Sequence, residues 1–313
     1  MKPAFSVILL TTLIGAGQGL FLAYYSADLL ALLSILPVES IHGAGRAGLL
    51  SLALLCAGLA ASFFHLGHPE RAWRAITMWR TSWLSREVIA LPLAMSLILL
   101  YAWLKLSVNQ AQISMLVGLV ATCTVLLLFL CTAMIYATLK FLRQWHSPLT
   151  VLNFLLMGSA SGFTLATLMS THYDPPLFEY FSRSAVVLTM AALLSRLASL
   201  FRNKNLRQLS TVQSAIGIHQ PTIRQIAQGA MGGSYNTRTF IHAYGATMIK
   251  LARYFFLLAG FILPVILLLV SDKNALAVCA LAFTVQYAGL LVERWYFFIE
   301  AKHPQNIYYQ MIS

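Results

Sequence analysis

Charged residues are scarce in this sequence. Only 10% of its 313 residues are Asp, Glu, Lys or Arg, whereas 59% are hydrophobic. A soluble domain usually carries about 25% charged residues, so the composition argues strongly against a water-soluble globular protein. It argues against a nucleic-acid-binding protein as well, because a net charge of +12 on so apolar a chain indicates asymmetry between membrane loops rather than a basic binding surface.

Residues that hold metal centres are also few. The four cysteines, Cys56, Cys123, Cys131 and Cys279, all lie in apolar stretches and never form a C-x-x-C pair. Iron–sulfur clusters need cysteines in sets at short spacing, so the chain is not expected to hold a cluster by itself. Most of the eight histidines lie outside the apolar stretches, away from where axial haem ligands would be. We therefore expect neither haem nor metal in this chain, with a bis-histidine haem as the alternative.

Long apolar runs, by contrast, dominate the sequence. A hydrocarbon core about 30 Å thick is crossed by about 20 helical residues. Backbone polar groups inside a bilayer must bond to one another, which favours helices. The sequence therefore predicts an all-α integral membrane protein, a bundle of eight transmembrane helices in a single polytopic domain over residues 1–313. The eight stretches lie at about 4–33, 46–66, 87–106, 112–139, 148–170, 182–201, 245–270 and 275–299.

The cations are distributed unevenly between the two ends of this bundle. Eight spans place both termini on one side, and 17 of the 21 Lys and Arg residues then lie on that side. Cytoplasmic loops carry an excess of Lys and Arg, so both termini are predicted to be cytoplasmic. The four exceptions are Arg46, Lys105, Arg183 and Lys273.

The longest connection is polar and basic. It covers about 202–244, is predicted to be cytoplasmic, and contains Arg207, Arg224 and Arg238. A loop of this length without apolar periodicity is usually a docking element or partly disordered. It is predicted to dock an acidic partner face or anionic lipid headgroups. The alternative is that its cations only enforce the topology.

Two ionisable residues flank one loop at the membrane boundary. His65 ends the second apolar stretch and Glu87 begins the third. Ionisable groups at this depth are costly and mark functional sites by default, so the pair is predicted to exchange protons with a ligand. The alternative is a histidine that reaches water and an ion pair between Glu87 and Arg86. In the first stretch, Gln18 lies among small residues, where it either binds a ligand or forms an interhelical hydrogen bond.

These segments resemble a known family. The pattern H-L-G-x-P-x-R-A occupies residues 65–72, S-x-E residues 85–87 and G-Q residues 17–18. Together with Ser147-Pro148 before the fifth stretch and Glu293-Arg294 in the eighth, they are similar to the membrane-anchor subunit of DMSO reductase. That subunit belongs to the wider NrfD-like family of quinone-interacting subunits of molybdopterin oxidoreductases. The likeness covers nearly the whole chain.

The resemblance implies a three-part enzyme at a bacterial inner membrane. A molybdopterin catalytic subunit and an iron–sulfur electron-transfer subunit would carry the metal centres, and this anchor would bind a quinone, ubiquinone or menaquinone, without haem. By position in the motifs, His65 and Glu87 look like the proton-handling pair of the quinone site, lined by Gln18, Arg71 and Arg86. Arg86 departs from the family pattern, which has an uncharged residue there, and the 202–244 loop is longer than the family leads us to expect.

Sidedness distinguishes among the relatives. The loop between His65 and Glu87 is expected to face the iron–sulfur partner, and the cation count places that face in the cytoplasm, whereas the DMSO reductase complex is exported. Residues 300–309 are likewise similar to the anchor of the cytoplasmic sulfite dehydrogenase (quinone) complex, which predicts electron transfer from sulfite to quinone. The alternatives are an anchor that oxidises quinol for a reductase, a haem b cytochrome anchor, and a secondary transporter, although no paired repeats are visible.

Overall fold

A computed structural model of the chain describes residues 4–36, 41–64, 66–107, 111–206, 211–224, 226 and 244–302. Within these ranges every regular element is helical, and eight helices are long and apolar enough to cross a membrane. The predicted all-α architecture with eight spans is confirmed, whereas the side on which the termini lie stays a prediction. We number the spans α1 to α8: Phe5–Leu32, Ala44–Phe63, Trp83–Ser107, Ala111–Ala137, Pro148–Tyr173, Phe178–Lys204, Ala246–Val270 and Leu276–Glu300.

Shorter helices lie between some of the spans. A 3₁₀ helix, Pro69–Met78, connects α2 to α3 and carries the exposed side chain of Trp73. Exposed tryptophan here is in keeping with an aromatic belt at the level of the lipid headgroups. A single 3₁₀ turn precedes α6, and the five-residue helix Val212–Ile216 follows it. Most of the long loop predicted at 202–244 lies outside the described residues, and α6 extends into its first part as far as Lys204.

The central helix of the bundle is α1, which packs against α2, α4, α5 and α8. Its closest approach is to α5, where glycines of the two helices face each other. A Cβ atom on Gly19 would lie 2.2 Å from the carbonyl oxygen of Gly158, and one on Gly162 would lie 2.0 Å from the carbonyl carbon of Gly19. Small residues of this kind let two membrane helices touch through their backbones. The backbones of α1 and α5 are therefore in direct contact at these glycines.

The seventh span is continuous but irregular. Ala246–Leu257 and Leu263–Val270 are α-helical, and Leu258–Ile262 between them form a π turn. At this turn Gly260 lies against Gly289 of α8, where a Cβ atom on Gly289 would be 2.2 Å from the Gly260 backbone nitrogen. Hydropathy is uniform across a π turn, so the sequence predicts only an ordinary span here.

The end of the bundle opposite the termini contains two buried aspartates. Asp28 of α1 pairs with Lys105 of α3 at 2.8 Å. Asp174, between α5 and α6, accepts hydrogen bonds from the backbone N–H groups of His42 at 2.8 Å and Gly43 at 2.9 Å. Burial raises the pKa of Asp174 above its ordinary value, and the two N–H groups oppose that rise. These contacts tie the α1–α2 connection to the α5–α6 connection.

Candidate functional site

A small cavity with a mixed polar and apolar lining lies between α1, α4, α5 and α8. Its volume is about 30 Å³, which is room for one or two water molecules. The cavity lies in the half of the bundle nearer the termini, because it borders the first half of α1 and the later turns of α4 and α8. Its lining residues are Thr11, Thr12, Ile14, Gly15, Gln18, Phe129, Thr132, Phe154, Met157, Gly158, Ser161, Leu290 and Arg294.

Glu87 lies directly behind one wall of this cavity. Its side chain is buried near the start of α3, where the helix packs against α4. The carboxyl group accepts a hydrogen bond of 2.5 Å from the hydroxyl of Thr132, which lines the cavity from α4. A buried carboxyl group in such a place can hold a proton and release it toward a bound molecule. One hydroxyl therefore connects Glu87 to the cavity.

Gln18 lines the cavity from α1 and is 1% exposed. Its side-chain amide donates a hydrogen bond of 3.3 Å to the backbone carbonyl of Val125 in α4. The interhelical hydrogen bond expected as one alternative for Gln18 is therefore present, and the residue also borders the cavity. Gln18 can bond α4 and bind a ligand at the same time. One N–H of its amide donates to Val125, and the second N–H and the carbonyl oxygen remain for a ligand.

A chain of ion pairs connects the cavity to the last turn of α8. Arg294, which lines the cavity, pairs with Glu293 at 3.0 Å, and Glu293 pairs with Arg196 of α6 at 2.8 Å. Arg196 in turn lies 3.3 Å from Glu300. The first three of these residues are almost fully buried. Positive and negative groups alternate along the chain, so each buried arginine has a carboxylate beside it, as buried charges require.

The guanidinium group of Arg294 is only partly bonded. Its Nη2 donates to the sulfur of Met157 at 2.9 Å, and thioether sulfur is a weak acceptor. Its Nη1 is buried and has no hydrogen-bond partner among the described residues. The ring of Phe154 lies 4.0 Å from the guanidinium carbon. A buried donor without an acceptor costs about 1–3 kcal/mol, so the group is suited to receive one.

Three other residues predicted for the site lie elsewhere or outside the described chain. Arg86 donates to the backbone carbonyls of Trp79 at 3.0 Å and Arg80 at 2.8 Å. It therefore fastens the loop to α3 and does not form the ion pair with Glu87 that the sequence offers as an alternative. Arg71 is exposed and lies 3.7 Å from the carboxylate of Glu70. The position of His65 lies outside the described residues.

Sequence reasoning misses the charged half of the site. Arg196 counts only as a cation at the end of a span, and Glu293 and Arg294 are singled out only through the family resemblance. The usable signal is their place inside apolar stretches, at 182–201 and 275–299, where ionisable residues are expensive and mark functional sites by default. Thr132 carries no comparable signal, because a threonine in a membrane helix usually bonds its own backbone.

The side chains present match the chemistry of a quinone headgroup, whose two carbonyl oxygens accept hydrogen bonds. Gln18 and Arg294 supply N–H donors at the cavity, and Glu87 supplies a carboxyl group behind it. With about 30 Å³ available, a quinone ring enters only when lining side chains move, and unbranched Met157 is the most adaptable of them. In the described ranges, no three His, Cys, Asp or Glu side chains come together to hold a metal ion.

Comparisons with known proteins agree with the resemblance carried by the motifs. The family model of the DMSO reductase anchor subunit (DmsC) matches residues 1–309. A sulfite dehydrogenase subunit of Allochromatium vinosum is 49% identical, in an alignment that covers 100% of both chains. Both likenesses extend over essentially the full length, including every helix that borders the cavity. The chain belongs to the DMSO reductase anchor subunit family.

Proposed function

We propose that this chain is the quinone-binding membrane anchor of a molybdopterin oxidoreductase that oxidises sulfite. The family match and the similarity to a sulfite dehydrogenase subunit support this function. In such a complex a molybdopterin subunit oxidises sulfite, and an iron–sulfur subunit delivers the electrons to this anchor. The anchor passes them to ubiquinone or menaquinone in the membrane.

The observation that carries the proposal is the cavity beside Glu87. The cavity is bordered by Gln18 and connected to Glu87 through Thr132, and both Gln18 and Glu87 belong to motifs that resemble the family. In the sequence, His65 stands at the start of the loop that leads to Glu87. Among the described residues, the donors for a carbonyl oxygen and the carboxyl group of Glu87 lie at one end of the bundle.

Quinone, when bound, accepts two electrons and two protons. The Gln18 amide, fixed by its bond to α4, orients a carbonyl oxygen in the cavity. When its carboxyl group carries a proton, Glu87 donates to the hydroxyl of Thr132, and Thr132 passes its own proton toward the cavity. The bond from Thr132 to Glu87 is the arrangement after that proton has left. Imidazole has an ordinary pKa of about 6.5, so His65 exchanges protons with water at the membrane surface near neutral pH. The role assigned to His65 rests on its place in the motif.

Proton uptake is proposed to occur only from the side of the termini, which is the cytoplasmic side by the distribution of cations. Buried apolar side chains of α1, α3 and α4, among them Phe21, Ile98 and Val125, fill the space between the cavity and the far end of the bundle. These three side chains carry no group that exchanges a proton. Sulfite oxidation and quinone reduction then exchange protons on the same side of the membrane. Turnover therefore moves no net charge across the membrane.

Two substitutions test the function in the purified complex. We expect Glu87→Gln and His65→Ala to leave the subunits assembled while sulfite-dependent reduction of ubiquinone-1 falls by about 100-fold, since loss of a proton-transfer group typically costs a factor of about 10² to 10⁴. Sulfite oxidation with ferricyanide, which takes electrons before the anchor, should stay at the wild-type rate. Glu179→Gln and His172→Ala, at the opposite end of the bundle, are the matched controls.

Unchanged quinone reduction in both variants would remove Glu87 and His65 from the quinone site. A complex that reduces ferricyanide with sulfite but never reduces quinone would contradict the function itself. A complex that oxidises menaquinol but does not reduce quinone with sulfite would support the opposite direction of electron flow.

A further inference from the structure

Resting on the proposed quinone function, we propose that Arg294 is the residue that binds a quinone carbonyl oxygen in the cavity. Glu293 and Arg196 act as positioning residues that hold its guanidinium group in place. Neither the motifs nor the comparisons assign these residues a role. Two features support this role: which hydrogen-bond donors of the cavity are still available, and which ion pairs hold Arg294.

Most hydroxyl groups that line the cavity already donate a hydrogen bond to protein. Thr11, Thr12 and Ser161 donate to backbone carbonyls of their own helices at 2.9 to 3.1 Å. Thr132 donates to Glu87. A hydroxyl has one proton to donate, so in this arrangement these four groups have none left to bind a ligand oxygen.

Arg294 is different, because its Nη1 is buried and has no partner among the described residues. Its remaining terminal nitrogen faces the sulfur of Met157, which is a weak acceptor. A ligand with an acceptor oxygen that displaces Met157 would therefore find two N–H donors on a rigid, planar group. The same movement of Met157 enlarges the cavity, so space and donors become available together.

The surroundings of Arg294 hold its guanidinium group in place. Glu293 contacts Arg294 through one carboxylate oxygen and Arg196 through the other, at 3.0 and 2.8 Å. Phe154 and Phe297 flank the guanidinium carbon at 4.0 and 5.6 Å. A guanidinium group held on several sides changes its orientation little when a ligand binds. Such preorganisation makes a hydrogen-bond donor effective.

A fixed positive charge beside a carbonyl oxygen also fits the direction of the reaction. Negative charge grows on that oxygen when electrons arrive, and a preorganised cation stabilises it there. Glu87 supplies a proton from its own side of the cavity. Binding by Arg294 and protonation from Glu87 are therefore separate contributions, which substitutions can distinguish.

The test is quinone binding rather than turnover. In the intact complex we would measure the Kd of ubiquinone-1 by equilibrium dialysis for the wild type, Arg294→Gln and Arg294→Lys. We expect the Kd to rise at least tenfold in Arg294→Gln and less in Arg294→Lys, which keeps the charge but not the planar pair of donors. Arg46→Gln, which removes an arginine over Tyr173 at the opposite end of the bundle, should bind as the wild type does.

A second measurement needs no substitution. Infrared spectra of carbonyl-¹³C-labelled ubiquinone-1 should show a C=O band at lower frequency in the wild-type complex than in detergent alone, and Arg294→Gln should reverse that shift. An unshifted band in the wild type, or unchanged binding in an assembled Arg294→Gln complex, would overturn the role of Arg294. If Glu87→Gln still abolished quinone reduction, the proposed function would survive that result. Absence of any quinone binding to the wild type would contradict both proposals.

Discussion

Thr132 is the single described link between the carboxyl group of Glu87 and the cavity. Its hydroxyl donates to Glu87 of the neighbouring helix α3. Thr124, two turns earlier on α4, instead donates to the backbone of its own helix at 2.9 Å. The two residues have the same size and differ in what they bond. They therefore form a natural pair for separating proton transfer from packing.

We expect Thr132→Val to reduce sulfite-dependent quinone reduction by about tenfold. Valine keeps the volume and removes the hydroxyl, and loss of one hydrogen bond to an ionisable group is worth about 1.5–3 kcal/mol, where about 1.4 kcal/mol is a factor of ten. Steady-state rates of the purified complex with ubiquinone-1 measure the effect. Thr124→Val should retain the wild-type rate, and an equal loss in both variants would show that packing of α4 alone matters.

At this scale the sequence predicts part of the site. Gln18 and Glu87 are recognisable as polar residues in apolar surroundings, and the structure brings both to one cavity. Thr132 and Met157 cannot be found in the same way, because neither residue type is unusual in a membrane helix. Their importance comes from which helices face each other, and hydropathy carries no information about that.

Among the elements, the contact between α1 and α5 determines where the cavity lies. Gly15 and Gly158 border the cavity, and the neighbouring pair Gly19 and Gly162 brings the two backbones together. Without this close approach α5 would stand farther from α1, and the cavity walls formed by the two helices would separate. The glycines therefore position the site without taking part in its chemistry.

We expect Gly162→Val to prevent accumulation of a stable complex. The added side chain would have to occupy space taken by the backbone of α1 at Gly19, and such overpacking costs about 1–3 kcal/mol where neighbours can move and more where they are backbone. Thermal unfolding and yield of the detergent-purified complex report the loss. Gly245→Ala, where nothing lies within 4 Å of the added atom, should behave as the wild type does. A stable Gly162→Val complex would contradict the close helix approach.

The sequence predicts the spans better than their arrangement. All eight apolar stretches correspond to helices, because burial in lipid requires long apolar runs that are visible in the sequence itself. The start of α5 is also predictable, since Ser147 caps the helix by accepting the Leu149 N–H and Pro148 opens it. The π turn at Leu258–Ile262 is not, because it depends on the contact with α8 rather than on local composition.

For the whole molecule, the distribution of cations is the physical basis of sidedness. The sequence assigns 17 of 21 Lys and Arg residues to the side of the termini, and the cavity, Glu87 and the ion-pair chain all lie toward that side. The far end holds its own buried pair, Asp28 and Lys105, on the other side of the buried apolar side chains of α1, α3 and α4. Among the described residues, the cavity and the ionisable groups connected to it thus lie at one end of the membrane domain.

We expect sulfite oxidation and the proton uptake of quinone reduction to occur on the cytoplasmic side of the membrane. Alkaline phosphatase is active only after export from the cytoplasm. A fusion after Ser313 should therefore be inactive in cells, whereas a fusion in the loop that contains Asp272 should be active. Proteoliposomes supplied with sulfite and ubiquinone-1 should develop no membrane potential. An active fusion at Ser313 would reverse the orientation, and a sulfite-dependent potential would contradict electroneutral turnover.

The most direct measurement is an experimental structure of the purified complex with ubiquinone-1 bound. We expect density for the headgroup in the cavity between α1, α4, α5 and α8, within hydrogen-bonding distance of Gln18 or Arg294. We expect the iron–sulfur subunit at the same end of the bundle as Glu87. A headgroup bound near Asp28 and Lys105, or an iron–sulfur subunit docked at that opposite end, would contradict it.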